Sequence, residues 1–132
     1  MKKRVVAALL ALLAPTAALA GALEGSVPAN RTSRIYAFTV ADPSNCIAAG
    51  RPKMTVRTAP EHGKVSFEWS YVPAGKGFRN CAGGRMRAMA VHYTPKAGFR
   101  GVDSFSVGYS FDNMAGYRAI GFKARKFIVH VK

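Results

Sequence analysis

Acidic side chains are scarce in this chain. Six Asp and Glu stand against twenty Lys and Arg, for a formal net charge of +14. Cysteine is almost absent. Cys46 and Cys81 are the two present, with no C-x-x-C spacing and no cluster of ligands around either, which argues against a redox or metal pair. The histidines His62, His92 and His130 lie far apart and lack the close spacing of a zinc site. No Gly-x-Ser-x-Gly elbow accompanies the serines and acids, so a hydrolytic triad has no anchor. Long apolar runs are missing outside the first twenty residues. At 132 residues the chain has room for one domain. With 49% hydrophobic and 11% aromatic residues it is too apolar for a disordered segment.

The first twenty residues read as a leader. Lys2, Lys3 and Arg4 form a basic head, Val5 to Ala14 is an unbroken apolar run, Pro15 breaks it, and Ala18-Leu19-Ala20 is an A-x-A cleavage signature. This is the layout of a secretory signal peptide. The apolar run of about ten residues is half of what a membrane span requires, and no lipidation cysteine follows. The expectation is a signal peptide over 1–20, a single domain over 21–132, and a periplasmic or extracellular, not membrane-spanning, product. Three of the twenty basic residues leave with the leader, so the remainder carries 17 against six acids, a net +11. Export and an even count predict a structural disulfide between Cys46 and Cys81. Closing its loop of about 36 residues stabilises by roughly 3–4 kcal/mol in the chain-entropy model.

The remainder reads as strands. Val65, Phe67, Trp69 and Tyr71 alternate with Ser66, Glu68 and Ser70, and Phe105, Val107, Tyr109 and Phe111 alternate with small polar residues. A period of two puts each aromatic row on one face. Tyr36, Phe38 and Val40 form a third strand, and Met54 to Thr58 a fourth with Met54 and Val56 facing in. An edge strand fits around Leu23 to Val27. Two segments change phase. Met86 and Ala88 disagree with Met89, Val91 and Tyr93, which predicts a bulge near Ala88. Ile120 and Phe122 disagree with Phe127, Val129 and Val131, which predicts a slip around Arg125-Lys126. Gly-, Pro-, Asn- and Asp-rich turns separate the strands. About seven strands at this spacing predict an antiparallel β-sandwich.

One stretch carries a resemblance. Val91-His92-Tyr93-Thr94-Pro95, then Gly98-Phe99-Arg100-Gly101, then Asp103-Ser104-Phe105 resembles the strand end, Gly-Phe-x-Gly loop and Asp-Ser-Phe strand start of bacterial immunoglobulin-like and cadherin-like modules. Pro60-Glu61-His62-Gly63-Lys64-Val65 resembles the same modules' Pro-x-x-Gly-x-Val start of an earlier strand. The resemblance covers about 45 residues and implies a fold, not an activity. The residues also support it physically. Pro95 closes a strand, Gly98 and Gly101 permit positive φ, Asp103 can accept bonds from loop amides, and Phe99 and Phe105 hold the loop on the core. Two departures matter. Cys81 sits in a polar, Gly-rich stretch, so the antibody-type pin of a disulfide on a core Trp is not expected and a loop staple is. Six scattered acids also cannot build cadherin calcium sites. Asn30-Arg31-Thr32 matches a glycosylation sequon of no consequence behind a leader of bacterial type.

Basic charge is the functional lead. Arg79, Arg85, Arg87, Arg118, Lys123, Arg125 and Lys126 lie within or between the aromatic strands, and a surface this positive attracts polyanions through its field. The spacing puts Arg85 and Arg87 on one face of a strand. Export makes a physiological nucleic-acid partner unexpected. An anionic glycan, lipopolysaccharide or another protein suits the compartment. The expectation is a non-catalytic structural or binding module with no cofactor and no metal. The competing class is a small secreted enzyme or enzyme inhibitor, marked by a pocket gathering two histidines and an acid.

Overall fold

The computed structural model describes residues 21–39, 50–74, 81, 84–111 and 120–132, with the backbone alone at 111 and 120–122. Seven strands account for most of them: β1 (Ala22–Val27), β2 (Ser33–Phe38), β3 (Lys53–Thr58), β4 (Gly63–Pro73), β5 (Arg85–Pro95), β6 (Gly101–Phe111) and β7 (Ile120–Val131). They form two sheets, ordered β1-β7-β6-β3 and β2-β5-β4. Lettering the strands A to G in chain order gives G-F-C and B-E-D, the sheet memberships of an immunoglobulin sandwich. The first strand lies with the G-F-C sheet. It runs parallel to β7, unlike the antiparallel remainder. This places Leu23 opposite Phe127 and Val27 opposite Val131. Lys132 N–H donates to the Val27 carbonyl and Ala29 N–H to the Lys132 carbonyl, closing the strand's end.

The core lies between the sheets. Phe38, Met89, Val91 and Tyr93 from one side meet Phe105, Val107, Phe127, Val129 and Val131 from the other. Each large apolar side chain buried here contributes roughly 1.5–3 kcal/mol. Three ring contacts across the core set the sheets' relative height: Tyr93 on Phe105 with centroids 5.9 Å apart, Tyr36 on Phe127 at 5.7 Å, and Phe38 on Tyr109 at 4.5 Å. Among the described residues no helix is long and apolar enough to cross a membrane.

Both phase changes have causes other than those expected. β5 carries no bulge near Ala88. It pairs with β4 rung by rung from Pro73↔Arg85 to Gly63↔Pro95. The two apolar phases exist because β5 is a central strand with both faces covered. Met89, Val91 and Tyr93 enter the main core, and Met86 and Ala88 join Val72, Ala37 and Ala74 in a second cluster on the outer face. β7 does not slip at Arg125-Lys126 either. Its register against β6 is unbroken from Lys123 to Val131, and the shift falls where Phe111 meets Ile120. A bulge that periodicity did not reveal occurs in β2 between Arg34 and Tyr36. It lets the consecutive Ile35 and Tyr36 both pack on the core. Val56, expected to face in, is 40% exposed, because β3 is an edge strand whose register shifts just beyond it. Val40 lies outside the described residues.

Candidate polyanion-binding surface

The register separates two ends of the sandwich. At one end lies the β5–β6 corner. Asp103 is 4% exposed, and its carboxylate accepts four hydrogen bonds. Tyr93 Oη–H and His62 N–H donate to Oδ2 at 2.8 and 3.1 Å, while Ser104 N–H and Glu61 N–H donate to Oδ1 at 2.9 and 3.2 Å. The loop amides expected to hold this corner thus come largely from the β3–β4 connection. Burial pushes the Tyr93 hydroxyl's pKa well above its ordinary value, and its hydrogen bond to Asp103 and that carboxylate's charge push the same way. Gly98 (φ 79°) and Gly101 (φ 142°) take the positive φ that the turn needs. Phe99 stacks on the His62 ring, centroids 4.3 Å apart.

This corner holds the chain together. His62 meets Asp103 through its backbone, not its ring, so the carboxylate does not orient an imidazole as a triad requires. The other histidines lie elsewhere. His92 Nδ1 is 3.8 Å from Glu68 on the outer face of β4–β5, and His130 pairs with Glu24 across β7–β1. Among the described residues no group of three or more His, Cys, Asp or Glu could hold a metal.

At the opposite end the β4–β5 ladder runs past the core. Its inner face carries the rungs Val65↔Tyr93, Phe67↔Val91, Trp69↔Met89, Tyr71↔Arg87 and Pro73↔Arg85. Met89 belongs to the core. One rung further out Tyr71 is 55% exposed, and Arg85 and Arg87 are exposed beside it. The two arginines share a face, as expected, but it is the face of Met89 and Val91. They are exposed without a bulge to turn them out. The Arg87 guanidinium carbon lies 5.1 Å from the Tyr71 ring centroid and that of Arg85 5.9 Å. Two cations about 7 Å apart repel by roughly 0.6 kcal/mol in water. Each exposed cation–π contact returns about 0.5–1 kcal/mol, so the ring holds two like charges together. Thr39 Oγ1–H donates to the Arg87 carbonyl at 2.9 Å, tying this rung to the end of β2.

The facing sheet adds charge at the same end. Lys123 and Arg125 lie opposite Tyr109 and Val107, continuing the inward row of Phe127. Arg125 is half-buried, and its Nε has no hydrogen-bond partner among the described residues. Lys126 is opposite Ser106 and Ala22 and projects from the outer face, so the run Lys123 to Lys126 is split. Lys53, opposite Ser110, and the preceding Arg51 sit at this end too. The described acids do not: Glu61 and Asp103 belong to the corner, Glu24 pairs alongside Ile128 and Glu68 alongside Ala90. Arg79 and Arg118 lie outside the described residues. So does Cys46. Cys81 is 4% exposed, no described cysteine is free, and its carbonyl accepts from Gly84 N–H at the start of β5.

Tyr71 is the residue the sequence reading missed. The aromatic alternation put it on one face with Trp69 and did not single it out. The available signal was hairpin arithmetic, since a β4–β5 hairpin that places Trp69 opposite Met89 necessarily places Tyr71 opposite Arg87.

No protein-family model matches the chain, and no curated protein matches it. Among solved structures, "Solution Structure of Amebosin" is similar over 85% of this chain and 90% of that one, with 11% identity and a TM-score of 0.47.

Proposed function

We propose that this protein is an exported, non-catalytic immunoglobulin-like module of the periplasm or extracellular space. It binds anionic surface polymers, acidic glycan or lipopolysaccharide, through its basic end. The observation that carries this reading is the Tyr71 ring flanked by Arg85 and Arg87 beyond the core. Exposed guanidiniums offer fixed forks of donors that match phosphate, sulfate or carboxylate. The aromatic face between them accepts the apolar face of a sugar ring or an acyl chain. Cys46 and Cys81 form a disulfide in this reading. It ties the connection between β2 and β3 to the connection between β4 and β5. The resemblance to bacterial immunoglobulin-like modules belongs to this proposal as well and supplies no partner of its own.

The test is retention on immobilised heparin and on lipopolysaccharide, eluted with salt. R85S/R87S is expected to elute at clearly lower salt than K64S/R100S, which removes the same charge from the corner end. The attraction is ionic and screened over about 10 Å at 0.1 M, so wild-type retention is expected to collapse as salt rises. Equal losses from both pairs would show that net charge alone acts and would refute a site.

A further inference from the structure

Beside the Arg85–Tyr71–Arg87 cluster the sandwich opens into a groove of about 520 Å³, lined by Arg51, Pro52, Lys53, Met54, Phe67 and Met89. It lies between β3 and β4, the edge strands of the two sheets on this side. Its size falls within the range of about 300–1,000 Å³ typical of small-molecule sites. The floor is apolar: Met54 from one sheet, Phe67 and Met89 from the other. The rim carries the cations Arg51 and Lys53. On β5 the next residue along the same face after Met89 is Arg87, so floor and guanidinium are consecutive on one strip. A purely hydrophilic polyanion makes no use of a floor of two thioethers and a ring, and a neutral lipid makes no use of arginines on either side of it. Thioether side chains adapt to flexible alkyl chains.

We propose that this groove binds a phosphate-bearing alkyl amphiphile. The chain lies over Met54, Phe67 and Met89, and the phosphate is held between Arg51 and Arg87. Three guanidiniums at one end favour a doubly charged phosphate monoester over a singly charged carboxylate. The proposal rests on the reading of the basic end as an anion site and adds to it an apolar subsite and a ligand class.

Calorimetric titration of the exported, oxidised chain tests it, with decyl phosphate kept below its micelle concentration. Decyl phosphate is expected to bind at least tenfold more tightly than inorganic phosphate, decanoate or decyl maltoside. M54W, which fills the groove from a half-buried position, and R51E, an exposed site that leaves the core untouched, are each expected to weaken decyl phosphate at least tenfold. M54W is expected to leave the heparin elution salt unchanged. Decyl phosphate binding no tighter than inorganic phosphate, or equally tight in R51E and wild type, overturns the proposal even if M54W fails to fold. Heparin binding without decyl phosphate binding removes the groove and leaves the polyanion reading. Decyl phosphate binding without heparin binding does the reverse.

Discussion

The two ends of this sandwich solve opposite problems with similar residue types. Each has a tyrosine on the inner face of the β4–β5 ladder beside an ionic group. At the corner, Tyr93 is fully buried and gives its hydroxyl hydrogen to Asp103, whose remaining lone pairs take three backbone amides. Every charge-bearing oxygen there is used. At the other end Tyr71 lies three inner-face rungs along and is half exposed, with two arginines over its ring. The first arrangement spends its ionic group on holding the fold. The second sets two exposed cations around one ring, the feature on which the proposed anion binding rests.

The comparison breaks first at Asp103. D103A strands the hydroxyl of Tyr93 and the amides of Glu61 and His62. Losing the partner of such a buried network costs about 3–5 kcal/mol, read as a lower urea midpoint, whereas R85S/R87S, which removes two exposed cation–π contacts, is expected to cost about 1 kcal/mol. Removing the proposed disulfide with C46S/C81S is expected to cost roughly 2–4 kcal/mol. Free-thiol titration of the denatured, exported wild type is expected to find none.

Gly63 sharpens the corner side of the comparison. A Cβ there would lie 2.6 Å from Tyr93 Cε2 and 2.7 Å from the Thr94 carbonyl oxygen. The second neighbour is backbone and cannot swing away. G63A is therefore expected to destabilise by about 1–3 kcal/mol, as overpacking does, while the same change at Gly25, with nothing within 4 Å, meets no such clash.

How far the sequence anticipated these two ends follows from what each depends on. Alternation revealed the strands, because side-chain period depends on the backbone alone. The corner was legible because Pro95, Gly98, Gly101 and Asp103 act over a dozen residues, within one local motif. The double burial of β5 was not. It depends on which strand becomes central, a long-range fact, so Met86 and Ala88 looked like a bulge when they were a second covered face. The basic end was half legible. Spacing put Arg85 and Arg87 on one face, but what packs opposite decides whether that face is core or surface, and no residue in the ladder encodes that. Lys126 was grouped with Lys123 and Arg125 across an expected slip, and the unbroken register puts it on the opposite face.

A smaller effect separates the tyrosines by pH. The Tyr93 hydroxyl holds its proton above its ordinary value near 10. The folded state therefore keeps a proton that the unfolded chain loses. This contribution is whole below pH 10 and shrinks as pH rises beyond it. Urea midpoints are expected to fall above pH 10 in wild type and to fall less steeply in Y93F. An equal slope in Y93F would mean that Tyr93 is not the group responsible.

The division of labour between the ends is tested most directly by amide chemical-shift mapping of the oxidised chain during titration with a short heparin oligosaccharide. Shifts are expected at Arg51, Lys53, Tyr71, Arg85 and Arg87, with Glu61, His62, Gly98 and Ser104 unmoved. Shifts centred on the corner, or spread evenly over every exposed basic residue, would contradict the account.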